Sequence, residues 1–263
     1  MHSHLRDTPL AGPAYVTWVG HATLLVELAG VRVLTDPVLT QRVGHLRRRT
    51  APPAAATRRT DVVVISHAHS DHLHRRSLRT VLDTSPRSLV LVPRGAAVHL
   101  PAADAARVEE VVAGDVIEHE GLRLQVVPAV HSANRGRIDT REAAAVGYVL
   151  EGDGRRLWFA GDTDLFSEMA DLGPVDLAAV PISGWWKTLG PGHLDEARAV
   201  EAAVLARAAR VLPIHWGTFS PEDLLSGLPR WLPETARRFA RALGERGMLD
   251  LLVRLEPGQT ARW

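Results

Sequence analysis

The chain has 263 residues, 46% of them hydrophobic and 23% charged, with a net charge of +1. That balance suits a globular protein with a substantial core and gives no support to nucleic-acid binding, which needs a basic face. No cysteine is present, which excludes disulfides, thiolate metal ligands and a cysteine nucleophile.

Met1–Pro9 has no apolar stretch of the signal-peptide kind, so a cytoplasmic protein is expected. No run approaches the ~18 apolar residues of a membrane span. His2 and His4 read as solvated tail, within a flexible segment over residues 1–13. The informative residues then continue without a linker, and one domain over residues 1–263 is expected.

In chain order, residues 14–19, 23–27 and 31–35 read as three short strands joined by tight turns. His21 and Asp36 fall in turns at their ends. Either residue can approach a site, or can serve locally, Asp36 by capping neighbouring N–H groups. Residues 40–60 read as a loop with six arginines: Arg42, Arg47, Arg48, Arg49, Arg58 and Arg59. They form either a solvated connection or a basic lip for an anionic substrate, since guanidinium pairs bidentately with phosphate.

Asp61-Val62-Val63-Val64-Ile65 is apolar and β-branched, the signature of a buried parallel strand. Directly after it come His67, His69, Asp71, His72 and His74, five metal-capable side chains within eight residues. In extended backbone, His67 and His69 project to one side. Asp71 and His72 follow once the chain has turned toward a helix running to about Leu82. Two pairs facing one point suit two adjacent metal ions better than one.

A strand over residues 88–92 and a short helix from Arg94 follow, then brief strands within residues 104–117 and a hairpin closing at 121–126. Strands ending in His131, in Gly161-Asp162-Thr163 and in His215 supply further ligand-type residues, each past the carboxyl end of its strand. Active sites of open α/β sheets gather there. Residues 132–142 form a polar loop leaving His131, with Arg135 and Arg137 as candidate substrate contacts. Residues 164–172 read as a helix, 176–182 as a buried strand and 194–209 as an alanine-rich helix. Between the last two, Trp185 and Trp186 either cover core or wall the site before His193. A second helical region spans 221–246, broken near Pro229–Pro233, and a last strand is expected over 251–255.

The series His67-x-His69-x-Asp71-His72, His131, Asp162, His215 resembles the metallo-β-lactamase-fold hydrolases. Trp18-Val19-Gly20-His21-Ala22-Thr23, Leu34-Thr35-Asp36-Pro37, Phe159-Ala160-Gly161-Asp162-Thr163 and Pro213-Ile214-His215-Trp216-Gly217-Thr218-Phe219 narrow the likeness. They resemble the N-acyl-phosphatidylethanolamine-hydrolysing phospholipase D branch, which includes relatives of the L-ascorbate-6-phosphate lactonase. The chain departs from that pattern at His74, where aspartate is usual, and at Ser132, where the phospholipase carries tryptophan.

The resemblance implies an α/β fold, a four-layer αββα sandwich, with metals in a cleft at one sheet edge. It implies that His67, His69 and His131 hold one ion, that Asp71, His72 and His215 hold a second, and that Asp162 bridges them. Two divalent ions are expected, zinc first, with manganese or iron suited to the same donors. They would share a bridging hydroxide as nucleophile, so no covalent enzyme intermediate is needed. Asp36 would support a ligand and His21 would lie nearby. Asp71 and His193 are the catalytic candidates, His193 as a hydrogen-bond donor or a general acid. A phosphodiester, such as a phospholipid, is the expected substrate. A lactone or other cyclic ester is the alternative, and a non-catalytic binding or scaffold role is a third reading.

Overall fold

The computed structural model describes residues 12–52, 56, 59–135, 139, 141, 143–183, 189–221 and 231–263. It opens with strands β1 (Tyr15–Gly20), β2 (Thr23–Leu28) and β3 (Val31–Thr35), followed by the short β4 (Arg42–Val43) and β5 (Leu46–Arg48). Next come β6 (Val62–Val64), helix α1 (Arg75–Thr84), β7 (Leu89–Pro93), helix α2 (Ala102–Ala105) and β8 (Glu109–Val111). Strands β9 (Val116–His119), β10 (Leu122–Pro128), β11 (Val146–Gly152), β12 (Arg155–Phe159) and β13 (Leu177–Pro181) continue the chain. Helix α3 (Glu196–Leu205), β14 (Val211–Ile214), β15 (Phe219–Pro221), helix α4 (Trp231–Glu245) and β16 (Thr260–Arg262) complete it.

Two sheets face each other, one ordered β16-β1-β2-β3-β6-β7-β8 and the other β14-β13-β12-β11-β10-β9. The period of two along each strand assigns alternate residues to different cores. Leu24, Val26, Val62, Val64, Leu157 and Phe159 fill the space between the sheets. Their neighbours Leu25, Val63 and Ile65 pack outward with Leu78, Val81 and Leu82 of α1. On the opposite flank, Trp158 and Ala178 pack with α3 and with Phe239 and Leu243 of α4. The layers are therefore helix, sheet, sheet, helix. Sheets covered on both faces need apolar residues on both, which is why the inner strands read as unbroken hydrophobic runs. Each fully buried Leu, Val or Phe side chain contributes roughly 1.5–3 kcal/mol.

Strand direction assembles the site. β3 runs parallel to β6, and β1 is antiparallel to β2, which is antiparallel to β3, so β1, β3 and β6 all end at one edge. By the same reasoning β10, β12, β13 and β14 end together. Val146 N–H donates to the Ser66 carbonyl and Tyr148 Oη to the Ile65 carbonyl, joining the two edges.

Four local expectations are corrected. Residues 40–60 are not a plain loop: β4 and β5 form a third small sheet with β15. Within it Arg48 is buried, donating to the carbonyls of Val19 and Val38 and lying over the Phe219 ring, so it is no part of a basic lip. Residues 164–172 contain only a 3-10 turn at Ser167–Asp171, because Phe166 is extended and Pro174 disfavours helix at Gly173. From Arg94 onward the helix divides into a 3-10 turn at Ala97–His99 and α2. Residues 251–255 make one bridge, Leu252 to Val211, before the turn at Pro257-Gly258 leads the chain away to β1. The true last strand is β16, paired with Tyr15–Thr17.

Candidate metal centre

Past β6 the backbone delivers His67 and His69, then folds back through N–H bonds from His72 and Leu73 to the His69 carbonyl. His69 Nδ1 lies 2.9 Å from His67 Nε2 and 3.2 Å from His131 Nε2. These three atoms form a compact imidazole tripod. His67 is buried, while His69 and His131 are half-buried and face the open side.

A second group stands beside it, made of Asp71, His72, His215 and His21, all buried. His72 Nε2 lies 3.2 Å from His215 Nε2 and 3.5 Å from Asp71 Oδ2. Asp162 Oδ2 is 3.3 Å from both imidazoles. Asp162 also groups with His131 and His193, so this one carboxylate reaches both sets.

Neighbouring groups settle how the imidazoles are turned. His131 Nδ1 lies 2.7 Å from the Gly192 carbonyl and His215 Nδ1 2.9 Å from the Ser183 carbonyl. His72 Nδ1 lies 2.7 Å from Asp36 Oδ2. An imidazole whose Nδ1–H donates to oxygen turns an Nε2 lone pair the other way. Asp36, fully buried, also accepts from Ser66 N–H at 2.7 Å and from Ser66 Oγ at 2.6 Å. Ser66 Oγ in turn lies 2.9 Å from His67 Nδ1. One carboxylate thus orients a member of each set.

The backbone contributes as well. His21, Asp36 and His215 all adopt left-handed φ values, +56°, +34° and +64°, at the ends of their strands. Such conformations are costly for residues with a Cβ and concentrate at functional sites. Gly161 (φ +62°) is forced to be glycine, since a Cβ there would stand 2.5 Å from Ser66 Cβ.

Electrostatics divides the centre. Burial drives His67 well below its ordinary pKa and takes His131 to about 4. His21 falls to about 3 through burial and the nearby His215. Burial also pushes His72 and His215 down, but the carboxylates around them outweigh it, and both end above their ordinary value. Reciprocally, burial favours neutral Asp71 and Asp162, yet the surrounding imidazoles hold both well below the usual carboxylate range.

The donor set fits divalent metal ions. In the tripod, lone pairs of neutral imidazoles converge at 2.9 and 3.2 Å, an arrangement that repels itself unless a cation intervenes. Asp162 Oδ1 is buried with no hydrogen-bond partner. Nitrogen and carboxylate oxygen without sulfur suit zinc, manganese and iron alike.

All seven expected ligand residues lie together here, with Asp36 behind them against His72. His21 is closer in than anticipated, its Nε2 2.9 Å from Asp71 Oδ2 and its ring 4.0 Å from that of His215. His193 reaches the rim, with Nε2 3.8 Å from Asp162 Oδ2. Arg135 turns inward, donating through Nη1 to the carbonyls of Ala68 and Leu73 at 3.1 Å, so it braces the ligand loop. Arg137, Trp185 and Trp186 lie outside the described residues. His74 caps α1 by accepting from Ser77 N–H. Sequence reasoning missed Ser66, Ser183 and Gly192 as supports. Two of them act through backbone carbonyls, which no side-chain pattern reveals.

A family model described as the beta-lactamase superfamily domain matches residues 31–216. The N-acyl-phosphatidylethanolamine-hydrolyzing phospholipase D 1 of Caenorhabditis elegans is 33% identical over 229 residues, 78% of this chain. This chain spans 64% of that phospholipase, less than two thirds of its length. A UPF0173 metal-dependent hydrolase of Methanopyrus kandleri is 32% identical over 252 residues, 93% of this chain and 98% of the relative. Among solved structures, a metallo hydrolase from Ignicoccus hospitalis has the same fold, with a TM-score of 0.70 at 23% identity. That likeness covers 96% of this chain and 99% of the other.

Proposed function

The chain belongs to the beta-lactamase superfamily and is a metal-dependent hydrolase, and within that class we propose a phosphodiesterase with a two-ion centre. His67, His69 and His131 would hold one ion, Asp71, His72 and His215 the other, with Asp162 serving both. The observation that carries this reading is the reach of Asp162 into both groups. The phosphodiester assignment is supported by the name of the C. elegans relative and by the chemistry of the donor set. When bound, divalent ions supply Lewis acidity toward a phosphoryl oxygen and make water a nucleophile at neutral pH.

The remaining steps fall to the chain's own residues. Asp71 is held by His21 and turned toward the centre, and His72, with His21 and His215, keeps its carboxylate ionised. Asp36 and the Gly192 and Ser183 carbonyls take the Nδ1–H of His72, His131 and His215, which aims Nε2 of each ring at the centre. His193 has its Nδ1 3.3 Å from the Gly190 carbonyl and Nε2 toward Asp162, so in its imidazolium form Nε2–H would pass a proton to the departing alkoxide and leave the neutral Nδ1–H ring. No covalent enzyme intermediate is required.

Elemental analysis should find close to two transition-metal ions per chain, and Asp71→Ala should weaken one of them. The metal-loaded protein should turn over a model phosphodiester faster than a phosphomonoester or any of several lactones. Lactone turnover without diesterase activity would replace the substrate assignment. A single ion at saturation, unchanged by Asp71→Ala, would reject the two-ion assignment.

A further inference from the structure

We propose that Asp164, two residues after the shared carboxylate, is a positioning residue that fixes the ring of His131 through the backbone of Gly192. The inference rests on the two-ion reading for its consequence, but its geometry is independent of any metal. Asp164 Oδ2 accepts from Gly192 N–H at 3.3 Å, and the Gly192 carbonyl lies 2.7 Å from His131 Nδ1. One residue, through its N–H on one side of Cα and its carbonyl on the other, therefore carries the carboxylate's hold on to the imidazole. Gly192 has φ +82°, and a Cβ there would meet His131 Nδ1 at 3.0 Å, so only glycine lets the carbonyl come this close without strain.

The other contacts of Asp164 make it a fixed post. Its Oδ1 accepts from Leu165 N–H at 2.6 Å and pairs with Arg198 of α3. Its own N–H donates to the Val130 carbonyl at 2.8 Å, and Thr163 Oγ1 accepts from Val130 N–H at 2.9 Å. Asp164 thus clasps the segment entering His131 and the segment entering His193, and sets the distance between them. His193 follows Gly192 directly, with its ring 4.7 Å from that of His131.

The clasp uses both carboxylate oxygens in different ways, which supplies a near-isosteric way to break it. In Asp164→Asn, the single amide oxygen goes to the side with two donors, Leu165 N–H and Arg198. The amide NH2 then faces Gly192 N–H, donor against donor. Volume and most packing survive while the hold on Gly192 is lost. Asp164→Ala removes the hold together with the Arg198 pair.

Two readouts test the proposal. Long-range 15N–1H spectra of the metal-free protein should show His131 as the Nδ1–H tautomer in the parent and as a tautomer mixture in Asp164→Asn. Zinc competition with a chelator should show one ion bound about 10–100-fold more weakly and the other unchanged, the usual scale for losing a partner of a ligand. Asp164→Ala should shift both in the same direction. Arg198→Ala, which leaves the Gly192 contact in place, should remain within about 3-fold of the parent, well below the effect of losing a ligand's partner.

An unchanged His131 tautomer in Asp164→Asn would overturn the proposal, whether or not metal binds. So would equal weakening of both ions, or an Arg198→Ala effect as large as that of Asp164→Asn. Either result would mean general destabilisation in place of positioning. A parent that binds no divalent ion would instead refute the two-ion reading, while the tautomer spectra would still decide the role of Asp164.

Discussion

His131 and His72 both have Nδ1 against an oxygen and Nε2 turned inward, yet their protonation equilibria move in opposite directions. His131 meets a neutral carbonyl on the half-buried side, and burial alone dominates its behaviour. His72 is fully buried among Asp162, Asp71 and Asp36, and their charge outweighs burial. The difference separates two ways of preparing an imidazole for a cation. The tripod offers neutral rings from which no proton must be displaced near pH 7. The carboxylate side has enough negative charge to retain protons, so a cation entering there replaces them.

Removing the residue common to both halves should have the largest effect. Asp162→Ala should release both ions and lower turnover on the order of 10³-fold or more, the scale of losing a charge-stabilising group in a dry site. His69→Ala should release only one. Elemental analysis of the two variants checks this, and if Asp162→Ala lost a single ion the two halves would be independent sites.

Asp36 sharpens the comparison from behind, since it touches His72 directly and His67 only through Ser66. Asp36→Ala should weaken the ion on the carboxylate side by ~10–100-fold and the tripod ion less. Chelator competition would reveal the ranking, and a larger loss at the tripod would reverse it.

Gly161 stands against Ser66 where the two sheet edges meet, and Gly161→Ala should press its Cβ into Ser66. A destabilisation of about 1–3 kcal/mol is expected from the left-handed φ and the contact. Denaturant melts would measure it, and an unchanged midpoint would show that the edges are free to separate.

The smallest effect is on pH dependence in the metal-free protein. His131 titrates near 4 when folded against an ordinary 6.5, so the unfolded chain takes up its proton first. Its contribution to stability is therefore full above about 6.5 and falls as pH drops toward 4. His72 and His215 are raised, so theirs is full below 6.5 and is lost as pH climbs through the folded values. Melting temperature should peak between these limbs, with His131→Gln flattening the acid limb and His72→Gln the alkaline one. Matching acid limbs in parent and His131→Gln would contradict the neutral tripod.

Much of this was legible in the residues. Each expected ligand follows an apolar run, and strands that end at the facing edges of the two sheets bring them together. The outer contacts were less legible. Arg48 sits in an arginine-rich stretch that reads as solvated, yet Phe219 and two carbonyls take it into the interior. His21 looked like part of a tight turn, and only its left-handed backbone aims it at Asp71. Arg135 looked like a substrate contact because the segment after His131 is polar, but its guanidinium braces the loop of the ligands themselves.

Adjacent residues set which chemistry is available and where along each strand it falls. Hydrophobic period and strand-end placement are local properties, written in adjacent residues. The tertiary structure alone decided which nitrogen of each imidazole faces inward, and which carboxylate serves both halves. Those choices depend on partners 36 and 61 positions away, on Asp36 for His72 and on Gly192 for His131. A hydrogen bond of 2.7 Å is set by the packing of whole sheets, and no spacing along the chain encodes it.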